Sequence, residues 1–159
     1  MMLQIDDTLR LRRYDGVCEF ALPWYLDAHT VWMVDHRTEP YNMELLKRMY
    51  SFLDKKGELY FIELLCDDTY VPVGDVTFCR DDLPIVIAPD FQSRGIGKRV
   101  ILGLIHEAKR RGWDHLAVEE IYQDNTASQR LFEGCGFQKA AATKDGNCYR
   151  LCFRTEEKL

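Results

Sequence analysis

Residues 8–14 alternate in polarity, with Leu9 and Leu11 set against Arg10 and Arg12, which predicts a first strand with one buried face. Segment 16–38 mixes aromatic and charged residues without a clean period and reads as short helix and loop. From Asn42 onward, Met43, Leu46, Met49, Tyr50 and Leu53 recur at helical spacing, and Lys55, Lys56 and Gly57 supply a cationic last turn and a stop. Residues 58–66 and 70–80 are rich in strand formers and are joined at Asp67-Asp68-Thr69, the pattern of a hairpin. A turn at Asp81-Asp82 leads to Pro84-Ile85-Val86-Ile87-Ala88, a short apolar run of the kind found inside a sheet.

A long helix follows from about Gly95 to Arg111, with Ile96, Val100, Ile101, Leu104, Ile105 and Ala108 on one face and Gly112 as its stop. A strand at 114–121, a short helix near 126–133 closed by Gly134–Gly136, and strands at 138–142 and 147–154 complete the chain. The order β-α-β-β-β-α-β-α-β-β implies an α/β (α+β) domain with one mixed central sheet. No repeat, linker or low-complexity tract divides the 159 residues, so a single domain over 1–159 is expected.

Composition narrows the function. A net charge of −5, with no Lys/Arg block, argues against nucleic acid and mildly favours a cationic partner. Gln4, Asp6 and Asp7 interrupt any secretory signal, and no apolar run has the length of a membrane span, so no membrane association and a cytoplasmic location are expected. The six cysteines form no Cys-x-x-Cys pair and five lie in apolar stretches that read as core, as reduced thiols do. The four histidines show no metal-ligand spacing, so no metal is expected; His106 should face solvent and His115 should begin a strand. Trp24, Tyr25, Trp32 and Met33 are candidates for an exposed apolar patch and a homodimer contact.

The sharpest local signal is Gln92-Ser93-Arg94-Gly95-Ile96-Gly97-Lys98, between an apolar strand and the start of an amphipathic helix. Its glycines allow close backbone approach, and the first helical turn offers unpaired N–H groups and the positive dipole end to phosphate oxygens. Arg94 and Lys98 add cations suited to a pyrophosphate. The loop lacks the Gly-Lys-Ser/Thr ending of a Walker loop and the three glycines of a dinucleotide fingerprint. On its own it also fits a plain strand-to-helix turn in a structural module. A second segment, Asn125 through Phe137, is an N-capped helix closed by glycine.

Together these segments resemble the GNAT superfamily of acyl-CoA-dependent N-acetyltransferases. Ile85 through Phe91 followed by the Gln-x-x-Gly-x-Gly loop is similar to its acyl-CoA motif, and Asn125 through Phe137 to its Asn-x-x-Ala/Ser-x-x-Leu-Tyr/Phe-Glu-x-x-Gly-Phe motif. The resemblance implies a mostly antiparallel central sheet flanked by helices, and transfer of an acetyl group from acetyl-CoA, as co-substrate, to a primary amine of a small molecule or peptide. It places Ile85 and Ile87 on the pantetheine arm, and Gln92, Ser93, Arg94, Gly95, Ile96, Gly97 and Lys98 around the pyrophosphate. Asn125 would contact the pantetheine or orient the acyl end, and Arg130 and Phe132 would line the cofactor's far side.

Attack by an amine requires loss of its proton, so an acidic residue is sought on the substrate side. The resemblance sets the strand carrying Glu119 and Glu120 beside the acyl-CoA strand; Glu120 is the preferred base, with Asp82, Asp75 and Glu63 as alternatives whose plain reading is solvated surface. Where the family often carries a tyrosine to protonate the leaving thiolate, this chain has Phe132, which leaves Tyr122, Cys135 or water for that task. The same substitution motivates a second reading, a non-catalytic acyl-CoA sensor. Tyr122 and Tyr149 also read as packing residues.

Overall fold

A computed structural model describes residues 1–153. The chain divides into two compact units, one formed by residues 1–78 with 84–96, the other by 79–83 with the chain from residue 97 onward.

The first unit is built on a five-stranded antiparallel sheet in the order β1 (Met2–Asp6), β2 (Leu9–Arg13), β3 (Glu58–Cys66), β4 (Thr69–Phe78), β5 (Ile85–Ile87). The alternation at 8–14 forms β2 as expected, with Leu9 and Leu11 fully buried. Before it lies β1, which the sequence reading missed; its apolar alternation is only Leu3 and Ile5, and its antiparallel pairing with β2 shifts register between Gln4 and Asp6. The β3–β4 hairpin closes on Asp67 and Asp68, both left-handed, so Thr69 already pairs with Cys66. That is a two-residue turn of the primed kind that strand twist favours.

Within 16–38 the chain forms a 3₁₀ turn, Glu19–Tyr25, and helix α1, Ala28–Asp35, capped by the Asp27 carboxylate accepting from Thr30 N at 2.9 Å. Helix α2, Met43–Lys56, starts where Asn42 accepts from Leu45 N and buries Leu46, Tyr50 and Leu53. These side chains join Cys18, Ala21, Trp24, Tyr25, Val31, Tyr41, Leu59, Phe61 and Ala88 in an aromatic-rich core. Tyr50 meets Phe61 edge-on at 5.4 Å, and Phe20 meets Phe61 at 4.7 Å. Trp24 and Tyr25 therefore belong to this core, and the expected apolar patch reduces to Trp32, which stacks on His36, and half-buried Met33.

The second unit carries helix α3 (Ile96–Arg110), β6 (His115–Tyr122), helix α4 (Thr126–Gly134), β7 (Gln138–Ala142) and β8 (Gly146–Cys152), its strands paired antiparallel in the order β6-β8-β7. All six residues assigned to the apolar face of α3 are buried, and Gly112 ends the helix with a left-handed φ of 82°. His106 is exposed as expected. The last residue of the strand expected at 147–154, Arg154, lies outside the described residues.

Class, flanking helices and antiparallel pairing match the expectation, but the strands fall into two ladders instead of one mixed sheet. The run at 84–88 is the reason: only three residues pair, with β4 alone, and each is half-buried. Its apolar character marks an edge strand in this sheet, not a central one. Of the six cysteines, Cys18 and Cys135 are buried and Cys152 is exposed, fewer in the core than their apolar surroundings implied. Among the described residues no helix is long and apolar enough to cross a membrane, and no group of three His, Cys, Asp or Glu side chains is placed to hold a metal.

Candidate functional site

Thr77 N donates to Pro84 O at 2.9 Å and Ala88 N to Val73 O at 2.7 Å. Antiparallel pairs alternate between hydrogen-bonded and open, so the intervening pair Asp75/Val86 is also hydrogen-bonded. The peptide groups of Ile85 and Ile87 consequently turn to the other edge of β5. There Ile87 O accepts from Gln92 Nε2 at 2.9 Å, while the Ile85 groups and Ile87 N have no backbone partner among the described residues. Gly74 lies opposite Ile87, and a Cβ there would collide with Val86 O, so only glycine lets β4 approach β5 this closely.

After a 3₁₀ turn at Pro89–Phe91 the chain enters α3 through two left-handed residues, Ser93 with φ 63° and Gly95 with φ 79°. Such reversals point successive N–H groups to one side, as anion-binding concavities do, and the positive dipole end of α3 follows directly. Gln92, Ser93, Arg94, Gly95 and Lys98 are exposed, Gly97 is half-buried and Ile96 is buried. The Arg94 guanidinium rests over the Phe91 ring at 5.1 Å, which holds the cation at the loop. Gln92 serves as a brace from loop to strand, a role its place in the motif did not reveal.

In the second unit, the helix motif is engaged largely in its own structure. Asn125 Oδ1 accepts from Ser128 N at 3.1 Å as the cap of α4, and the side chain is buried. Gln129, which sequence reasoning passed over, donates from Nε2 to Tyr122 O and Gln123 O, both at 3.0 Å, and fixes the turn that presents Asn125. Phe132 is buried against Phe137, with rings 5.1 Å apart. Arg130 is exposed.

Glu119 and Glu120 lie where the β6 register shifts between Val118 and Ile121, so simple alternation does not govern them. Glu119 is exposed, and its N–H donates to Asp82 Oδ1 at 3.0 Å. Glu120 Oε2 accepts from Thr143 Oγ1 at 2.6 Å and Asp145 N at 2.9 Å, bracing the turn between β7 and β8. Tyr122 is half-buried. Burial raises the Cys135 thiol, which makes it a weaker acid for a leaving thiolate. Tyr149 is fully buried and donates to Glu133 at 3.5 Å, the packing role expected of it.

The three alternative carboxylates are buried, which overturns their reading as solvated surface. Asp82 accepts from the backbone of Leu83 and Glu119, and Glu63 pairs with Arg10 and Arg12 Nε, both at 2.8 Å. Asp75 Oδ2 accepts from Tyr25 at 2.6 Å and Tyr50 at 2.8 Å. Burial pushes the Asp75 carboxyl up to about 6, against the partial opposing pull of the two hydroxyls, and drives both tyrosines far up. His115 begins β6 as expected but is buried, its ring nitrogens each 2.7 Å from a carboxylate oxygen, of Asp81 and Asp114.

Comparison with known proteins bears on what this arrangement is for. The model of the acetyltransferase (GNAT) family matches residues 21–137. A [ribosomal protein bS18]-alanine N-acetyltransferase of Salmonella typhimurium is 27% identical over 123 residues, covering 75% of this chain and 80% of that one. Among solved structures, the Salmonella typhimurium acetyl transferase that modifies the N-terminal serine of 50S ribosomal subunit protein L7/L12 superposes with a TM-score of 0.74 at 19% identity, over 97% of this chain and 100% of that one. The spermidine N-acetyltransferase of Vibrio cholerae, solved with CoA and spermine, gives a TM-score of 0.69 at 16% identity, over 92% and 96%. At these identities the structural likeness is one of fold.

Proposed function

This chain belongs to the acetyltransferase (GNAT) family, and we propose that it moves the acetyl group of acetyl-CoA to the α-amine of a protein or peptide, in the cytoplasm. The observation that carries the reading is the open edge of β5 running directly into a loop with left-handed Ser93 and Gly95. An edge strand whose Ile85 groups and Ile87 N–H have no backbone partner among the described residues suits the amide-bearing pantetheine arm, which pairs as a short strand would. The amides of 93–97 with Arg94 and Lys98 suit the pyrophosphate. The acceptor class is supported by the curated relative of Salmonella typhimurium, which acts on the alanine of a ribosomal protein.

In this reading the neutral amine attacks the thioester carbonyl directly; the N–C bond forms, the C–S bond breaks, and the amine proton passes to a base or water as the thiolate leaves. Glu120 is the base assigned from sequence, yet its Oε2 is bound to the 143–146 turn, so its carboxylate has a structural reason to be there. Tyr122 is the remaining hydroxyl candidate for protonating the thiolate. Phe132 supplies none, and its ring is buried against Phe137.

The test is a titration with acetyl-CoA by calorimetry, followed by free-thiol release with three acceptors: a peptide with a free α-amine, the same peptide Nα-blocked but bearing lysine, and spermidine. Turnover with the first alone supports the proposal. Turnover with the others alone moves the acceptor to lysine or polyamine, and tight binding with no thiol release in any arm replaces the enzyme by an acyl-CoA sensor.

A further inference from the structure

Asp75 is a carboxylate with almost no exposure, set in an aromatic core, with two tyrosine hydroxyls as its hydrogen-bond partners and no cation among them. Its ladder neighbours are Phe61 on β3 and Val86 on β5, neither of which ionises. The ionisable groups coupled to it are Tyr25 from the 3₁₀ turn, Tyr50 from α2 and, more weakly, Tyr41. Two residues along β4, Thr77 Oγ1 is buried with no hydrogen-bond partner among the described residues.

An asparagine oxygen could accept the same two hydroxyl bonds without burying a charge, although its amide N–H groups would then need acceptors of their own. A buried carboxylate held by hydroxyls and no cation is a candidate for a role beyond stability. The position supplies one. Val86, its cross-strand partner, lies between Ile85 and Ile87, whose peptide groups face the open edge, while Tyr25 and Tyr50 come from the segment that precedes β3 and packs on the same sheet.

We propose that Asp75 is a positioning residue for the acceptor amine: by holding the Tyr25 and Tyr50 hydroxyls it fixes the 3₁₀ turn and α2 against the strand that carries the acyl-side edge. This rests on the function proposed above and takes segment 19–56, whose core side chains pack against Val86 and Phe91 beside the acyl-side edge, as the wall that meets the acceptor. The carboxylate makes the stronger, charge-assisted bonds, so its protonation loosens the clamp.

The experiment compares the full-length wild type with D75N, Y25F and Y50F. D75N should leave acetyl-CoA affinity unchanged and raise the acceptor KM about tenfold, the order of magnitude by which charge assistance strengthens a hydrogen bond, with little change in kcat. The wild type should show an added fall in kcat/KM for the amine below about pH 6 that D75N lacks. Equal kcat/KM for wild type and D75N at every pH would overturn the proposal, as would loss of acetyl-CoA affinity in step with loss of turnover. If the wild type acetylates no amine, the acetyltransferase reading fails by itself. Amide hydrogen exchange across 19–56 then decides the clamp: faster exchange there in Y25F and Y50F than in wild type supports it, and unchanged exchange removes it.

Discussion

Asp75 and Glu63 are two buried carboxylates on adjoining strands of one sheet, and the chain treats them in opposite ways. Glu63 is gripped by two guanidiniums, Arg10 and Arg12, that still reach solvent. Asp75 has two neutral hydroxyls as its side-chain partners among the described residues and lies beneath two helical segments. Arg12 and Asp75 are even cross-strand neighbours of the same residue, Phe61. A carboxylate in a strand thus says little about its chemistry; what arrives from elsewhere in the chain decides whether the charge is neutralised or left under tension.

The largest expected effect falls on Asp75 and its two tyrosine donors. In the double variant Y25F/Y50F the Asp75 carboxylate keeps its burial and loses both donors, at a cost of about 4 kcal/mol from two hydrogen bonds to a charged group. Urea unfolding near neutral pH measures it. A loss under about 1 kcal/mol would mean that Asp75 is solvated in a way its burial does not indicate.

Next comes pH. The folded carboxyl titrates at about 6, above the value near 4 of an unfolded aspartate, so between these values the native state holds the extra proton. The destabilisation present above pH 6 is therefore relieved as pH falls toward 4, by about 3 kcal/mol at most. D75N should be at least as stable as wild type at neutral pH and should lack this rise. Glu107 works the other way: the Arg110 and Arg111 guanidiniums hold it down to about 2, so its contribution is lost only as pH falls through the acid range below its ordinary value. Two limbs of opposite sign are expected in the stability profile, and a monotonic decline from pH 7 to 3 would refute the assignment for Asp75.

Glu63→Ala removes the anion and leaves two arginines that can turn to water, so the expected loss is about 2 kcal/mol, less than for a fully buried pair. Half of it should return in E63Q, whose amide oxygen still accepts. The signs of E63Q and D75N at neutral pH should differ, which is the sharpest form of the contrast.

The legibility of the sequence follows the same division. Helices α2 and α3 were readable because their burial repeats every turn, as with Leu46, Tyr50 and Leu53 or Ile96, Val100 and Leu104. The loop at 92–98 was readable because glycine and helix-start chemistry are local. The clamp on Asp75 was not, since Tyr25, Tyr50 and Asp75 are separated by 25 residues or more and no local pattern marks a tyrosine that donates to a distant carboxylate. Nor was the role of Glu120, because a register shift in β6 breaks the alternation on which its direction was judged.

The smallest effect on stability, and the most telling for the loop, belongs to Gly95→Ala. A Cβ at this position meets nothing within 4 Å, so no clash contributes. What remains is the left-handed backbone at φ 79°, which an alanine adopts at a cost of about 1 kcal/mol. If the amides of 93–97 hold the pyrophosphate, even a slight relaxation of that backbone turns N–H groups away from it. Affinity for acetyl-CoA should then fall by roughly tenfold or more, beyond what the stability change accounts for. Gly74→Ala offers the contrast, because its Cβ meets the backbone of β5 and should damage folding itself. Calorimetry on both variants separates the two, and a Gly95→Ala protein that binds acetyl-CoA as tightly as wild type would show that the left-handed turn serves the chain path alone.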